Sequence, residues 1–75
     1  MQRYKNLSGT SGVALYEART TSIVVTFMDG ASYVYDSASP GTNHVAAMKR
    51  FAELGRGLAT YINQHVKKSY AKKLA

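Results

Sequence analysis

Seventy-five residues, 45% of them hydrophobic, make one small domain with a thin core and are too few for two. There is no cysteine, which excludes a disulfide framework and a thiolate metal site. The formal net charge of +6 is unevenly placed: residues 1–48 carry three bases and three acids, residues 49–75 seven bases and one acid.

All of the net charge therefore lies in the last third of the chain. Such asymmetry points to a polyanionic partner, with simple solubility as the competing explanation. The N-terminal "MQRYKNLSGTSGV" has no apolar run of signal-peptide length, and the longest apolar runs are three or four residues, far short of a membrane span. No membrane partner is expected, and a reducing cytoplasm fits this composition.

In chain order, residues 1–10 read as a loop or ragged start, with "NLSGTSG" rich in Gly and Ser, and the ordered core is expected over about residues 11–72. "VALYEA" (13–18) is a short strand and "RTT" a polar break. "SIVVTFM" (22–28), dense in β-branched and aromatic residues, reads as a central strand. Asp29-Gly30 is a hairpin signal, because Gly accepts the positive φ that the turn needs. "ASYVYD" (31–36) returns, and "SASPGTN" connects onward with the only proline.

The loop length decides where the tyrosines point. A two-residue turn pairs Val25 with Val34 and mixes Ile23, Val25 and Phe27 with Ser32 and Asp36 on one face. A three-residue loop, Met28-Asp29-Gly30 with Gly30 left-handed, pairs Val25 with Tyr33 and Ile23 with Tyr35. One face then reads Ile23, Val25, Phe27, Ala31, Tyr33, Tyr35, and the other Ser22, Val24, Thr26, Ser32, Val34, Asp36. A one-residue slip inverts every side chain, and the three-residue loop gives the cleaner partition. It places Tyr33 and Tyr35 in the core layer. An exposed stacking platform is the competing reading.

Two helices follow. "NHVAAMKRFAELG" aligns Val45, Met48, Phe51 and Ala52 on one stripe, with Lys49 and Glu53 four apart on the opposite face. Gly55 and Gly57 end it and let the chain reverse. The final helix is expected from about Leu58, with Leu58, Tyr61, Ile62, Val66 and Tyr70 on one side and Gln64, Lys67, Lys68 and Lys72 on the other. The fold class expected is α+β: a three-stranded antiparallel β-meander followed by two C-terminal helices.

At "FMDGASYVYD" and "GLATYINQHVKKSY" the chain resembles the KTSC domain. That family is named for the C-terminus of some lysyl-tRNA synthetases and also occurs as small stand-alone bacterial and phage proteins. The elements that carry the resemblance are Ser11, the strand with Tyr16, Phe27 to Gly30, Tyr33-Val34-Tyr35, Pro40, and Gly57 through Tyr61-Ile62-Asn63 to Val66-Lys67, with Tyr70. They span roughly residues 11 to 70. The chain departs from the pattern at Ser39, where the family usually has Val. It departs again between Pro40 and Gly57, a segment a few residues longer. The resemblance implies a small α+β domain and suggests RNA binding. It brings no set of functional residues.

Catalysis is not expected. His44 and His65 are the only histidines and have no Cys to join them, so neither a metal site nor a cofactor is expected. The four acids show no pairing for general acid–base work. "SGTSG" and "SPGTN" lack the Lys-Ser/Thr of a phosphate-gripping loop. The binding reading is a non-catalytic nucleic-acid module, RNA favoured through the resemblance. Its phosphate contacts would come from Lys49, Arg50, Arg56, Lys67, Lys68 and Lys72, whose faces can merge across the short turn between the helices. Asn63 and Gln64 are candidate polar contacts, although Asn63 can equally tie down the Gly55–Gly57 turn. A protein-interaction module using the free sheet face (Val24, Thr26, Val34) or an edge strand is the alternative.

Overall fold

The computed structural model describes residues 1–7, 9, 11–66 and 68–75. It is α+β, with helices on one face of an antiparallel sheet. The meander is β2 (Val13–Ala18), β3 (Ser22–Phe27) and β4 (Ser32–Asp36), and β1 (Gln2–Arg3) precedes it. Helix α1 (Thr42–Leu54) is followed by α2 (Leu58–Tyr61), which widens into a π-helical turn over Ile62–Val66; β5 (Lys72–Lys73) comes last. Among the described residues the sheet has five strands in the order β1-β2-β3-β4-β5.

The β3–β4 register is that of the three-residue loop, with Val25 opposite Tyr33 and Ile23 opposite Tyr35. Gly30 has φ 92°, and the loop is closed by the Phe27 N–H to the Ala31 carbonyl at 2.8 Å and the Gly30 N–H to the Phe27 carbonyl at 3.0 Å. A residue with a Cβ would be strained there. Ile23, Val25 and Tyr35 are fully buried, while Phe27 and Tyr33 pack against the core with part of each ring exposed.

Strand β2 reaches the same core by a less regular route. Its register shifts between Val13, opposite Phe27, and Leu15, opposite Thr26. Simple alternation would put Val13 and Tyr16 on opposite faces; the extra residue of the bulge lets both enter the core. Ala14, passed over by β3, accepts the Tyr4 N–H at 3.0 Å.

Tyr4 corrects the expectation of a ragged start: it is 3% exposed and belongs to the core. Its hydroxyl accepts the Leu58 N–H at 3.3 Å, an open donor at the start of α2, where no side-chain cap is present. The Leu7 N–H donates to the Gly55 carbonyl at 2.7 Å. The N-terminal segment thus holds the turn that Asn63 was a candidate to hold. In α1, Val45, Met48 and Ala52 are buried as the stripe requires. Gly55 and Gly57 reverse the chain at φ 80° and 85°.

The final helix is shorter than its spacing suggested. Leu58, Ile62 and Val66 are buried, but the described helical backbone runs only to Val66 and Lys68 lies in a turn. The chain then returns to β4, with Val34 opposite Lys72 and Tyr33 opposite Lys73. The Ala71 N–H donates to the Val34 carbonyl and the Leu74 N–H to the Ser32 carbonyl, both at 2.7 Å. Without this strand those carbonyls would form an open sheet edge, and pairing them outweighs another helical turn. Lys72 therefore lies on a strand and not on a helical face with Lys68. Lys67 is outside the described residues.

The outer sheet face is also less free than expected. Val24, flanked by Glu17 and Val34 on neighbouring strands, is fully buried, and the Thr26 and Ser32 hydroxyls share a 2.8 Å hydrogen bond. No helix among the described residues is long and apolar enough to cross a membrane.

Candidate nucleic-acid interface

Alternation along β3 and β4 sends Phe27 and Tyr33 to the helix side beside the β3–β4 turn, and the return of the chain after Val66 brings Tyr70 onto them. Tyr33 and Tyr70 meet with centroids 4.6 Å apart and rings tilted 42°. Phe27 meets Tyr33 edge-on at 5.8 Å. Tyr35, at the back, lies 6.3 Å from Tyr70. Its phenol is pushed up to about 12, first by burial and then by Tyr33 and Tyr70. These rings line a cleft of about 510 Å³ that is also bordered by Met28, Asp29, Asn63 and Lys68, all four exposed. The Lys73 ammonium lies 5.9 Å from the Tyr33 ring centroid, a cation–π distance.

Of the described predicted cations, Lys49 is drawn away from the cleft. Lys49 donates to the backbone carbonyls of Arg19 and Thr20, so it clamps the β2–β3 turn. That turn and the cleft lie at opposite ends of β3, about 20 Å apart for six residues at ~3.3 Å each. The clamp also draws Lys49 away from Glu53, which lies four residues on along the same helix. Arg50 is exposed on α1 and Arg56 is exposed in the turn between α1 and α2. Gly55, next to Arg56, packs so closely on Lys5 that a Cβ there would meet the Lys5 Cβ at 2.6 Å. Lys68 borders the cleft, and Lys72 and Lys73 follow along β5. Of the two amide candidates, Asn63 borders the cleft and Gln64 does not.

The acids are occupied separately. Glu17 accepts from Arg19 Nε at 2.5 Å, and this hydrogen bond holds its carboxyl below the usual range. Asp36 Oδ1 accepts the N–H groups of Ala38 and Ser39 at 3.0 and 2.9 Å. Asp29 Oδ1 accepts the Ala31 N–H at 3.0 Å, which turns the carboxylate into the loop beside the cleft. Glu53 borders a different cleft, with Arg3 and Lys5. His44 Nδ1 and the Tyr61 hydroxyl share a 2.6 Å hydrogen bond, and the Tyr61 ring stacks near His65 at 4.6 Å. Among the described residues no three His, Cys, Asp or Glu side chains come together as a metal-holding group.

No family model matches the chain, and no curated protein or solved structure matches it. The cleft's partners were only partly visible in the sequence. Asp29 was read as a turn residue and Tyr70 as part of a helical stripe. The signal that joins them to Tyr33 is the pairing of β5 with β4, which two residues cannot announce.

Proposed function

We propose that this protein is a non-catalytic nucleic-acid-binding module that takes single-stranded RNA, with a cytoplasmic setting and a KTSC-like ancestry. The observation that carries this reading is the aromatic cleft of Phe27, Tyr33 and Tyr70 with Lys68 at its border and Lys73 against its central ring. Stacking on aromatic rings beside cations is the general chemistry of single-strand binding. Lys68 and Lys73 are the phosphate contacts at the cleft; Lys72, opposite Val34 on the other sheet face, and Arg50 and Arg56 extend the positive field at longer range, and Lys67 joins the set on sequence grounds alone.

Fluorescence anisotropy of labelled single- and double-stranded RNA and DNA at several salt concentrations tests this. With about four phosphates neutralised on a single strand, log K against log salt slopes by about −3, and Lys68→Gln/Lys73→Gln removes about 1.4 of that slope. Negligible binding of every strand at low salt by both proteins overturns the reading and leaves a protein-interaction module in its place.

A further inference from the structure

We infer that the cleft receives one unpaired base of the bound strand, guanine in preference, with its ring on the Tyr33–Tyr70 pair and its Watson–Crick edge on Asp29 and Asn63. This rests on the single-strand reading above and assigns that site its ligand. A cleft of about 510 Å³ lies within the range of small-molecule sites, roughly 300–1,000 Å³, which suits one nucleotide and not a duplex. Its apolar lining is mainly aromatic, with Met28, Ala31 and Ile62 beside the rings, and its polar border is sparse and mixed in charge. That combination separates it from a simple phosphate groove, which needs only cations.

The acid sets the base preference. Asp29 sits on the tip of the β3–β4 loop, fixed by the hydrogen bond that its Oδ1 accepts from the Ala31 N–H. Among the described residues its Oδ2 makes no hydrogen bond. A carboxylate only accepts, so a base edge with adjacent N–H donors suits it best. Guanine offers two such donors, the ring N1–H and the exocyclic amine. Adenine and cytosine offer an amine beside an acceptor. Uracil offers one N–H between two carbonyl oxygens, which the carboxylate repels. Asn63, whose amide both donates and accepts, can meet the guanine carbonyl oxygen. Lys68 on the same border and Lys73 against Tyr33 are placed for the phosphate of the inserted nucleotide. They also offset the repulsion between Asp29 and the backbone.

The test uses short labelled uridine oligomers whose central residue is guanosine, cytidine, adenosine, uridine or an abasic ribose, titrated against the full chain at low salt. The oligomer with central guanosine should bind about tenfold more tightly than the all-uridine strand, and any base more tightly than the abasic site by about tenfold. Asp29→Asn keeps the oxygen that accepts from Ala31 and should erase the guanosine advantage while retaining the difference from the abasic strand. Titration with guanosine monophosphate should shift the ring resonances of Tyr33 and Tyr70 in NMR spectra. Tyr70→Leu, checked for folding by circular dichroism, should lose the base dependence and keep the salt dependence. If guanosine and abasic strands bind equally, with the salt slope intact, the base pocket is refuted and nucleic-acid binding survives. If guanosine wins but Asp29→Asn leaves its advantage unchanged, the assignment of Asp29 is refuted. Binding of no strand at all overturns both readings together.

Discussion

Replacing Tyr35 by alanine should remove a large share of the stability of this domain. Tyr35 is 1% exposed and sits opposite Ile23 in the sheet, with the rings of Tyr33 at 6.5 Å and Tyr70 at 6.3 Å. Truncating a buried aromatic side chain costs about 3–5 kcal/mol, and each lost aromatic pair adds about 0.5–1.5 kcal/mol. A domain of 75 residues has about 4–11 kcal/mol in total, at ~0.05–0.15 kcal/mol per residue. Tyr35→Ala therefore leaves the protein marginal or unfolded at room temperature, whereas Tyr33→Ala, from a partly exposed ring, costs only about 1–2 kcal/mol. Urea unfolding followed by circular dichroism measures both. A Tyr35→Ala protein within about 1 kcal/mol of wild type would refute the assignment of this ring to the core, and with it the register argument from face partition.

The same tyrosine gives a pH prediction. Its folded-state phenol titrates about 12 against an ordinary 10.0, so above pH 10 the unfolded chain gives up a proton that the folded chain keeps. Stability is complete below pH 10 and falls as pH rises toward 12; Tyr35→Phe should flatten that fall in urea titrations at stepped alkaline pH. Lys49→Gln should lower stability by less than about 1 kcal/mol, because the exposed Arg19 and Thr20 carbonyls that lose the ammonium can turn to water. If the proposed RNA binding holds, this variant should leave its salt dependence unchanged, as a clamp requires and a phosphate contact does not. Gly30→Ala, at φ +92° with open space around it, should cost about 1 kcal/mol from backbone strain alone. Gly55→Ala, at φ +80° and against Lys5, should cost about 2–3 kcal/mol; equal costs at the two positions would show that the Lys5 contact yields freely.

The elements legible in the sequence were those whose periodicity had room to repeat. Six residues of β3 and five of β4 carry enough alternation to reject one register for another. The thirteen residues of α1 show their buried stripe plainly. Strands β1 and β5, at two residues each, have no period, and both were missed. The last helix was overextended for a physical reason. Val66 and Tyr70 are four apart, the spacing of a helix face, and both do pack inward. What sends Tyr70 there is the hydrogen-bonding demand of β4, a tertiary effect with no local trace. The same limit governed the cations. Helical phasing set Lys68 on a polar helix face, whereas it lies in a turn at the border of the aromatic cleft, and phasing could not foresee that Lys49 would be taken up by carbonyls thirty residues earlier in the chain. The aromatic residues were seen as either core or platform, and the two residues divide the roles: Tyr35 is core, and Tyr33 turns a partly exposed ring to the cleft.

The two brief outer strands also bear on how the protein behaves when concentrated. A β-sheet ends in unpaired peptide groups that invite a neighbouring molecule to dock as one more strand, the first step toward fibrous or amorphous aggregates. Here one margin is a pair that includes Arg3, and the other is the pair Lys72–Lys73. A second copy approaching along either side meets like charge over a stretch too short to grip. The lysines of that margin oppose such an approach, and a polyanion that covered them would remove the repulsion. Colloidal solubility should therefore be lowest near charge equivalence with a bound strand and recover when the strand is in excess.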